Sequence, residues 1–166
     1  MKNYNELEKG DYVVHNVHGI GIYNGIKDDK IIIDEIVKKL EPRYDSHVHV
    51  IDHLIHPYEA RILLGEGKVT ITGRMHAAVS SINMGTVPIC LSYSVKFKGV
   101  IGDDFGLNDY IYQCRGDDIW YSGNVSTEVI ARLNMVLENR KSIVKKINDK
   151  LELVKKKSML QIEELF

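Results

Sequence analysis

At 166 residues and 18.9 kDa the chain has the mass of about one ordinary domain. Its 22 basic and 23 acidic residues leave a net charge of −1, which excludes a protein held on nucleic acid by neutralising phosphates over its whole surface. With 44% hydrophobic and 27% charged residues, the composition is that of a chain with a real core, not of a disordered one.

Tyr12-Val13-Val14 opens the regular structure as a short β-type run, closed by His18-Gly-Ile-Gly21. Asp28-Asp29 then offers a helix cap, and Ile32, Ile33, Ile36, Val37 and Leu40 recur at helical spacing until Pro42. Val48 and Val50 alternate within His47–Ile51 and predict a strand. Pro57 at a first helical turn leads a helix over Tyr58–Leu64, ended by Gly65 and Gly67. Val69–Thr72 is a β-branched run suited to a buried parallel strand. After Gly73, Met75–Met84 reads as a helix closed by Gly85, followed by a strand over Val87–Leu91 and another near Tyr110–Tyr112. Strands and helices taking turns predict an α/β fold, a single Rossmann-like domain with a mostly parallel sheet.

From Ser126 the pattern is helical almost to Phe166. Val129, Leu133, Val136 and Leu137 form one apolar stripe, and Val144, Ile147, Leu151 and Val154 continue at 3-4-3 spacing. From Arg140 the tail is basic, densest at Lys155-Lys156-Lys157. The ordinary reading is a solvated face plus one packing stripe; a coiled-coil homodimer or an anionic partner is the alternative.

Chemistry concentrates in Val69-Thr-Ile-Thr-Gly-Arg-Met-His-Ala-Ala78. This spacing puts Gly73, Arg74, Met75 and His76 at the carboxyl end of a parallel strand and the start of a helix, the edge where open α/β sheets bind ligands. The first N–H groups of such a helix lack intrahelical partners and suit an anion. Arg74 adds a planar fork for carboxylate or phosphate, and His76 can donate a hydrogen bond or a proton near neutral pH. Gly73 is expected to let the backbone turn tightly towards a ligand. Tyr93 and Lys96, in the loop after the next strand, would complete a pocket for a multiply charged ligand. The competing reading pairs Arg74 with an acid and leaves the lysines on an ordinary surface loop.

Six of the seven histidines precede Pro57. His47, His49, His53 and His56 bring a zinc site to mind, but no cysteine lies near, so metal is not expected. Cys90 and Cys114 are too few for a disulfide framework and read as free thiols. The polar opening Met1-Lys-Asn-Tyr-Asn5 does not resemble a signal peptide, and no apolar run reaches the ~18–20 residues of a membrane span. A cytoplasmic protein is the expectation. Gly19-Ile-Gly-Ile-Tyr-Asn-Gly25 misses a dinucleotide fingerprint because its third glycine falls one residue late.

From about Asp28 to Phe166 the sequence resembles the C-terminal half of a polysaccharide pyruvyl transferase. Asp28-Asp29, Thr72-Gly-Arg-Met-His-Ala77, Gly85-Thr-Val-Pro-Ile89 and Ser92-Tyr-Ser-Val-Lys-Phe-Lys-Gly99 carry the likeness. The resemblance implies a GT-B-like architecture whose C-terminal Rossmann-like domain binds phosphoenolpyruvate as donor, with no separate cofactor. It also implies transfer of the enolpyruvyl carbons to a hydroxyl of a glycan acceptor as a pyruvate ketal. The family's Arg-x-His motif, which contacts phosphoenolpyruvate, falls on Arg74 and His76, with Met75 contributing backbone; Tyr93 and Lys96 follow by loop position. His76 would donate the proton or stabilise the leaving phosphate. Such enzymes have a further N-terminal domain on the acceptor side, so unaided turnover is not expected of these residues.

Glu6-Leu-Glu-Lys-Gly-Asp-Tyr-Val-Val-His-Asn-Val-His-Gly-Ile-Gly-Ile-Tyr-Asn-Gly-Ile26 resembles instead the start of the RNA polymerase-interacting domain of CarD-like regulators and transcription-repair coupling factors. That second resemblance implies RNA polymerase as an alternative partner. A segment this short cannot close a barrel, so it is expected to supply a first strand of the α/β sheet. The predicted organisation is residues 1–27 as that segment, 28–125 as the Rossmann-like domain and 126–166 as C-terminal helices. Three functions stay open: a pyruvyl-transferase-type domain, a regulatory module using the N-terminal segment, and a recombined α/β scaffold without activity.

Overall fold

The computed structural model describes residues 12–15, 19–22, 29–51, 53–115, 119 and 122–163. His18, Asp28 and much of the 6–26 segment lie outside the described residues. The chain divides into two units, Met1–Leu54 and Ile55–Phe166.

In the first unit, β1 (Tyr12–His15) pairs antiparallel with β2 (Gly19–Ile22), Tyr12 opposite Ile22 and His15 opposite Gly19. The two strands form a sheet of their own, which corrects the expectation that the opening strand enlarges the parallel sheet. Only three residues separate them, and so short a link favours antiparallel pairing with each other. Helix α1 (Asp29–Lys39) follows, then a 3₁₀ turn over Pro42–His47. No strand forms at His47–Ile51: Val48, Val50 and Ile51 are exposed, and their alternation meets no neighbouring strand to take up its N–H and C=O groups.

The second unit is α/β, with a three-stranded parallel sheet and a long C-terminal helix. Helix α2 (Pro57–Glu66) starts on a reciprocal cap: His56 Nδ1 accepts from Tyr58 N at 3.2 Å, and Glu59 Oε2 accepts from His56 N at 2.8 Å. It runs through Gly65, where a Cβ would press on Met84 Cβ at 3.0 Å, so the missing side chain permits this close approach.

Strand β3 (Val69–Thr72), helix α3 (Met75–Asn83) and strand β4 (Val87–Ser92) form a β-α-β unit with Val69 beside Val87 and Thr72 beside Cys90. Gly85, at φ +76°, ends α3. Its N–H reaches Ile82 O at 3.0 Å, and the Thr86 N–H reaches Ser81 O at 2.9 Å, the paired bonds of a Schellman turn. Buried hydroxyls fasten the unit: Ser81 Oγ lies 2.9 Å from Thr70 Oγ1, and Thr86 Oγ1 donates towards Gly65 O (3.3 Å) and Gly67 O (3.2 Å).

Strand β5 (Ile111–Gln113) completes the order β3-β4-β5 and pairs only with Cys90–Ser92. At Pro88, therefore, β4 has a partner strand on one side only, and a residue without an N–H is accepted. Val87, Pro88, Ile89 and Cys90 are all buried, so both faces of the central strand are covered, as a parallel sheet requires. Between β4 and β5 the chain is not a plain loop: a π-helical turn spans Lys98–Asp104 and a 3₁₀ turn Asn108–Tyr110. Phe97, Ile101, Phe105 and Leu107 of this connection are buried in the core.

Helix α4 (Asn124–Glu163) begins two residues before Ser126 and is continuous where the sequence pattern left room for several helices. Both α3 and α4 pack on β4. Val136, Ile143 and Ile147 enter the core, and Leu133, Val144, Leu151 and Val154 pack against it. The 3-4-3 stripe is thus taken up by the chain's own sheet. Leu137, which the sequence pattern puts in the first stripe, is 49% exposed. Among the described residues no helix is long and apolar enough to cross a membrane.

Candidate functional site

All three strands are parallel, so their carboxyl ends, Thr72, Ser92 and Gln113, lie along one edge of the sheet. Thr72 begins the site. Its Oγ1 accepts from Arg74 N at 2.9 Å, a local turn that steers the backbone from β3 into α3. Arg74 is the N-cap residue with extended backbone, and the helix's first backbone bond joins Ala78 N to Arg74 O at 3.2 Å. The N–H groups of Met75, His76 and Ala77 precede that bond and have no intrahelical acceptor. They give this end of α3 its partial positive charge.

The loop after β4 faces them. Ser92 Oγ donates to Ser94 O at 2.8 Å, and Lys96 N donates to Ser94 Oγ at 3.3 Å. Tyr93 meets Phe97 edge to face at 5.9 Å, and Phe97, 1% exposed, anchors the loop in the core. A cavity of about 390 Å³ lies between the two segments. Arg74, Met75, His76 and Ala77 line one side; Tyr93, Ser94, Lys96 and Phe97 line the other. This volume falls within the range of small-molecule sites.

Five of the six residues expected at the site therefore line one cavity: Arg74, Met75, His76, Tyr93 and Lys96. The sixth, Gly73, does not. Its φ is not positive, and a Cβ there would only touch Leu91 O at 3.6 Å, so the turn from β3 into α3 does not itself demand a glycine. The side chains of Arg74, His76, Tyr93 and Lys96 are exposed, so the cavity presents two fixed cations and an imidazole to solvent. Such a set can hold an anion bearing both carboxylate and phosphate, and it can deliver a proton.

Sequence reasoning passes over the third strand end. Cys114 N donates to Ser92 O at 2.7 Å, and Arg115 Nε donates to Tyr93 O at 3.1 Å, so two successive residues after β5 bond two successive carbonyls, the last of β4 and the first of the loop that follows it. A usable signal is present: Arg115 follows β5 much as Arg74 follows β3. Behind this edge Arg132 stacks over the Tyr112 ring at 5.1 Å and pairs with Glu128. The Cys114 thiol is pushed up by burial, partly offset by the Arg132 charge. Cys90, buried in the central strand β4, is pushed up to about 12 by burial alone, which suits packing and not nucleophilic chemistry.

Two histidines of the first half, His47 and His56, hold local structure. His56 caps α2, and His47 Nδ1 lies 3.0 Å from Ser46 Oγ. Among the described residues no group of three or more His, Cys, Asp or Glu is placed to hold a metal ion.

The profile of one protein family, Polysaccharide pyruvyl transferase, matches residues 1–95. That match takes in β3, α3, β4, Arg74–His76 and Tyr93. It also runs through residues 6–26, and nothing in the comparisons supports the CarD-like resemblance of that segment. A curated relative, the amylovoran biosynthesis protein AmsJ of Erwinia amylovora, is 27% identical over 141 residues, 85% of this chain and 32% of its own length. The chain thus spans about a third of that relative. No solved structure matches the chain significantly.

Proposed function

The chain belongs to the polysaccharide pyruvyl transferase family, and from that membership we propose that the Arg74–Lys96 cavity binds phosphoenolpyruvate as donor for ketal transfer to a sugar hydroxyl. One observation carries the reading: two loops at the carboxyl edge of a parallel sheet bring Arg74, His76, Tyr93 and Lys96 around one open cavity. In this reading Arg74 forks onto the donor's carboxylate or phosphate, and the N–H groups of Met75–Ala77 share the negative charge. Lys96 adds a second cation, and the Tyr93 hydroxyl a donor that carries no charge.

The reaction adds a proton to the methylene carbon and a sugar hydroxyl oxygen to the adjacent carbon. A second hydroxyl oxygen of the same acceptor then bonds to that carbon as its bond to the phosphate oxygen breaks. Of the two hydroxyl protons, one balances the proton on the methyl carbon and the other leaves with phosphate. His76 serves as proton donor to the methylene carbon or as hydrogen-bond donor to the departing phosphate. A glycan of the kind made in polysaccharide biosynthesis is the proposed acceptor, and the cytoplasm the proposed setting. In a GT-B arrangement, the sheet edge carrying the cavity would face the acceptor-binding domain.

Because the chain spans about a third of its curated relative, binding and not turnover is the decisive measurement. Calorimetric titration with phosphoenolpyruvate is expected to give saturable binding, weakened roughly tenfold or more in Arg74→Ala, as for loss of a hydrogen bond to a charged group. No saturable binding by the parent chain, or equal binding by Arg74→Ala, would refute the site.

A further inference from the structure

We propose that Arg115 is a positioning residue for this cavity: by clamping the Tyr93 carbonyl it holds the Tyr93–Lys96 loop in the conformation that receives the anion. The inference rests on the donor-site reading above and adds to it a residue from the third strand. The Arg115 side chain does not line the cavity, so it acts through the loop and not on the ligand.

Lys96 and Tyr93 are exposed, and exposed side chains on a loop lose rotamer and backbone freedom when they bind. A loop already fixed in its bound shape loses less. Three restraints fix this one from different sides. Phe97 plugs its far end into the core, and the Cys114 N–H holds the carbonyl just before the loop, at Ser92 at the end of β4 (2.7 Å). Between them, at the residue whose side chain lines the cavity, Arg115 Nε reaches across from the third strand to Tyr93 O (3.1 Å). Its partners are 22 residues apart, so the third strand must be formed before the loop is held. Arginine is well suited to this role, because Nε donates along the edge of a rigid plane and the guanidinium keeps its charge at any working pH. The site is therefore complete only with β5 in place, although both of its binding segments precede that strand.

The test compares Arg115→Ala with the parent 166-residue chain in two measurements. Without ligand, amide hydrogen exchange within residues 93–97 is expected to speed up about three- to tenfold, while the α4 core amides stay unchanged. With phosphoenolpyruvate, the dissociation constant is expected to rise about three- to tenfold, the scale of one lost hydrogen bond. In a Tyr93→Ala/Lys96→Ala background, where the two side chains that Arg115 positions are gone, Arg115→Ala should weaken binding less than about twofold. Unchanged exchange at residues 93–97 overturns the inference whatever the ligand does. An undiminished loss in the double background also overturns it, because Arg115 would then act on the anion directly. If the parent chain fails to bind phosphoenolpyruvate, the donor-site reading falls, and with it the role of Arg115 in that site.

Discussion

Truncating Ile147 to alanine tests whether the 3-4-3 stripe of α4 packs inside its own chain. Ile147 is fully buried in the core cluster with Val136 and Ile143, whereas Leu153, six residues on, is 59% exposed. Ile147→Ala returns three buried carbons to water at about 0.8 kcal/mol each. A residual cavity of about 60 Å³ adds about 1.5 kcal/mol, for a total near 4 kcal/mol, within the range measured for such truncations. Leu153→Ala loses less than half of the same transfer energy and leaves no closed cavity, so about 1 kcal/mol bounds its cost. Urea unfolding followed by circular dichroism should show the Ile147→Ala midpoint falling by about 2 M, taking a slope near 2 kcal/mol per M. Leu153→Ala should move it by no more than about 0.5 M. Both shifts should be independent of protein concentration. Equal shifts for the two variants, or an Ile147→Ala shift that grows on dilution, would mean that the stripe faces a second chain.

Gly85→Ala should destabilise the protein by about 1–2 kcal/mol, because φ +76° is strained for any side chain even though space is open around it. Gly73→Ala, with ordinary φ and a Cβ contact of 3.6 Å, should stay within about 0.5 kcal/mol; thermal unfolding of the two variants checks the contrast, and equal costs would contradict it. The Cys90 thiol, pushed up to about 12 from 9.0, favours the fold while both states hold the proton, and that contribution fades as pH rises from about 9 towards 12. Each pH unit in that window removes up to about 1.4 kcal/mol, so Cys90→Ala should lose less stability than the parent between about pH 8.5 and 10.5. Parallel slopes for the two proteins would sink that assignment.

Much of the second unit was legible in the sequence because its signals are local. The run Val69–Thr72 is a strand to the residue, and Pro57 and Gly85 mark helix ends through their own backbone chemistry. The same locality explains the failures. Val48 and Val50 alternate like a strand, but alternation cannot supply the neighbour that a strand needs. Lys98–Asp104 is assigned no element from the sequence, and Gly99 and Gly102 interrupt its apolar pattern. Yet Phe97, Ile101 and Phe105 recur every four residues and are buried, which is a helical period.

For the proposed site, sequence alone picked out the candidate residues: an arginine and a histidine at a strand-to-helix junction, and a tyrosine and lysine after the next strand. Those types and positions follow from covalent order, and parallel strands always bring such junctions to one edge. Only the tertiary structure decided that Gly73 stands aside and that the α4 stripe is already occupied by the chain's own core. It also joined Arg115 to the Tyr93 loop. These three depend on contacts between residues far apart in the chain, where sequence distance carries no information and only the packed sheet fixes which backbone carbonyl a side chain can reach.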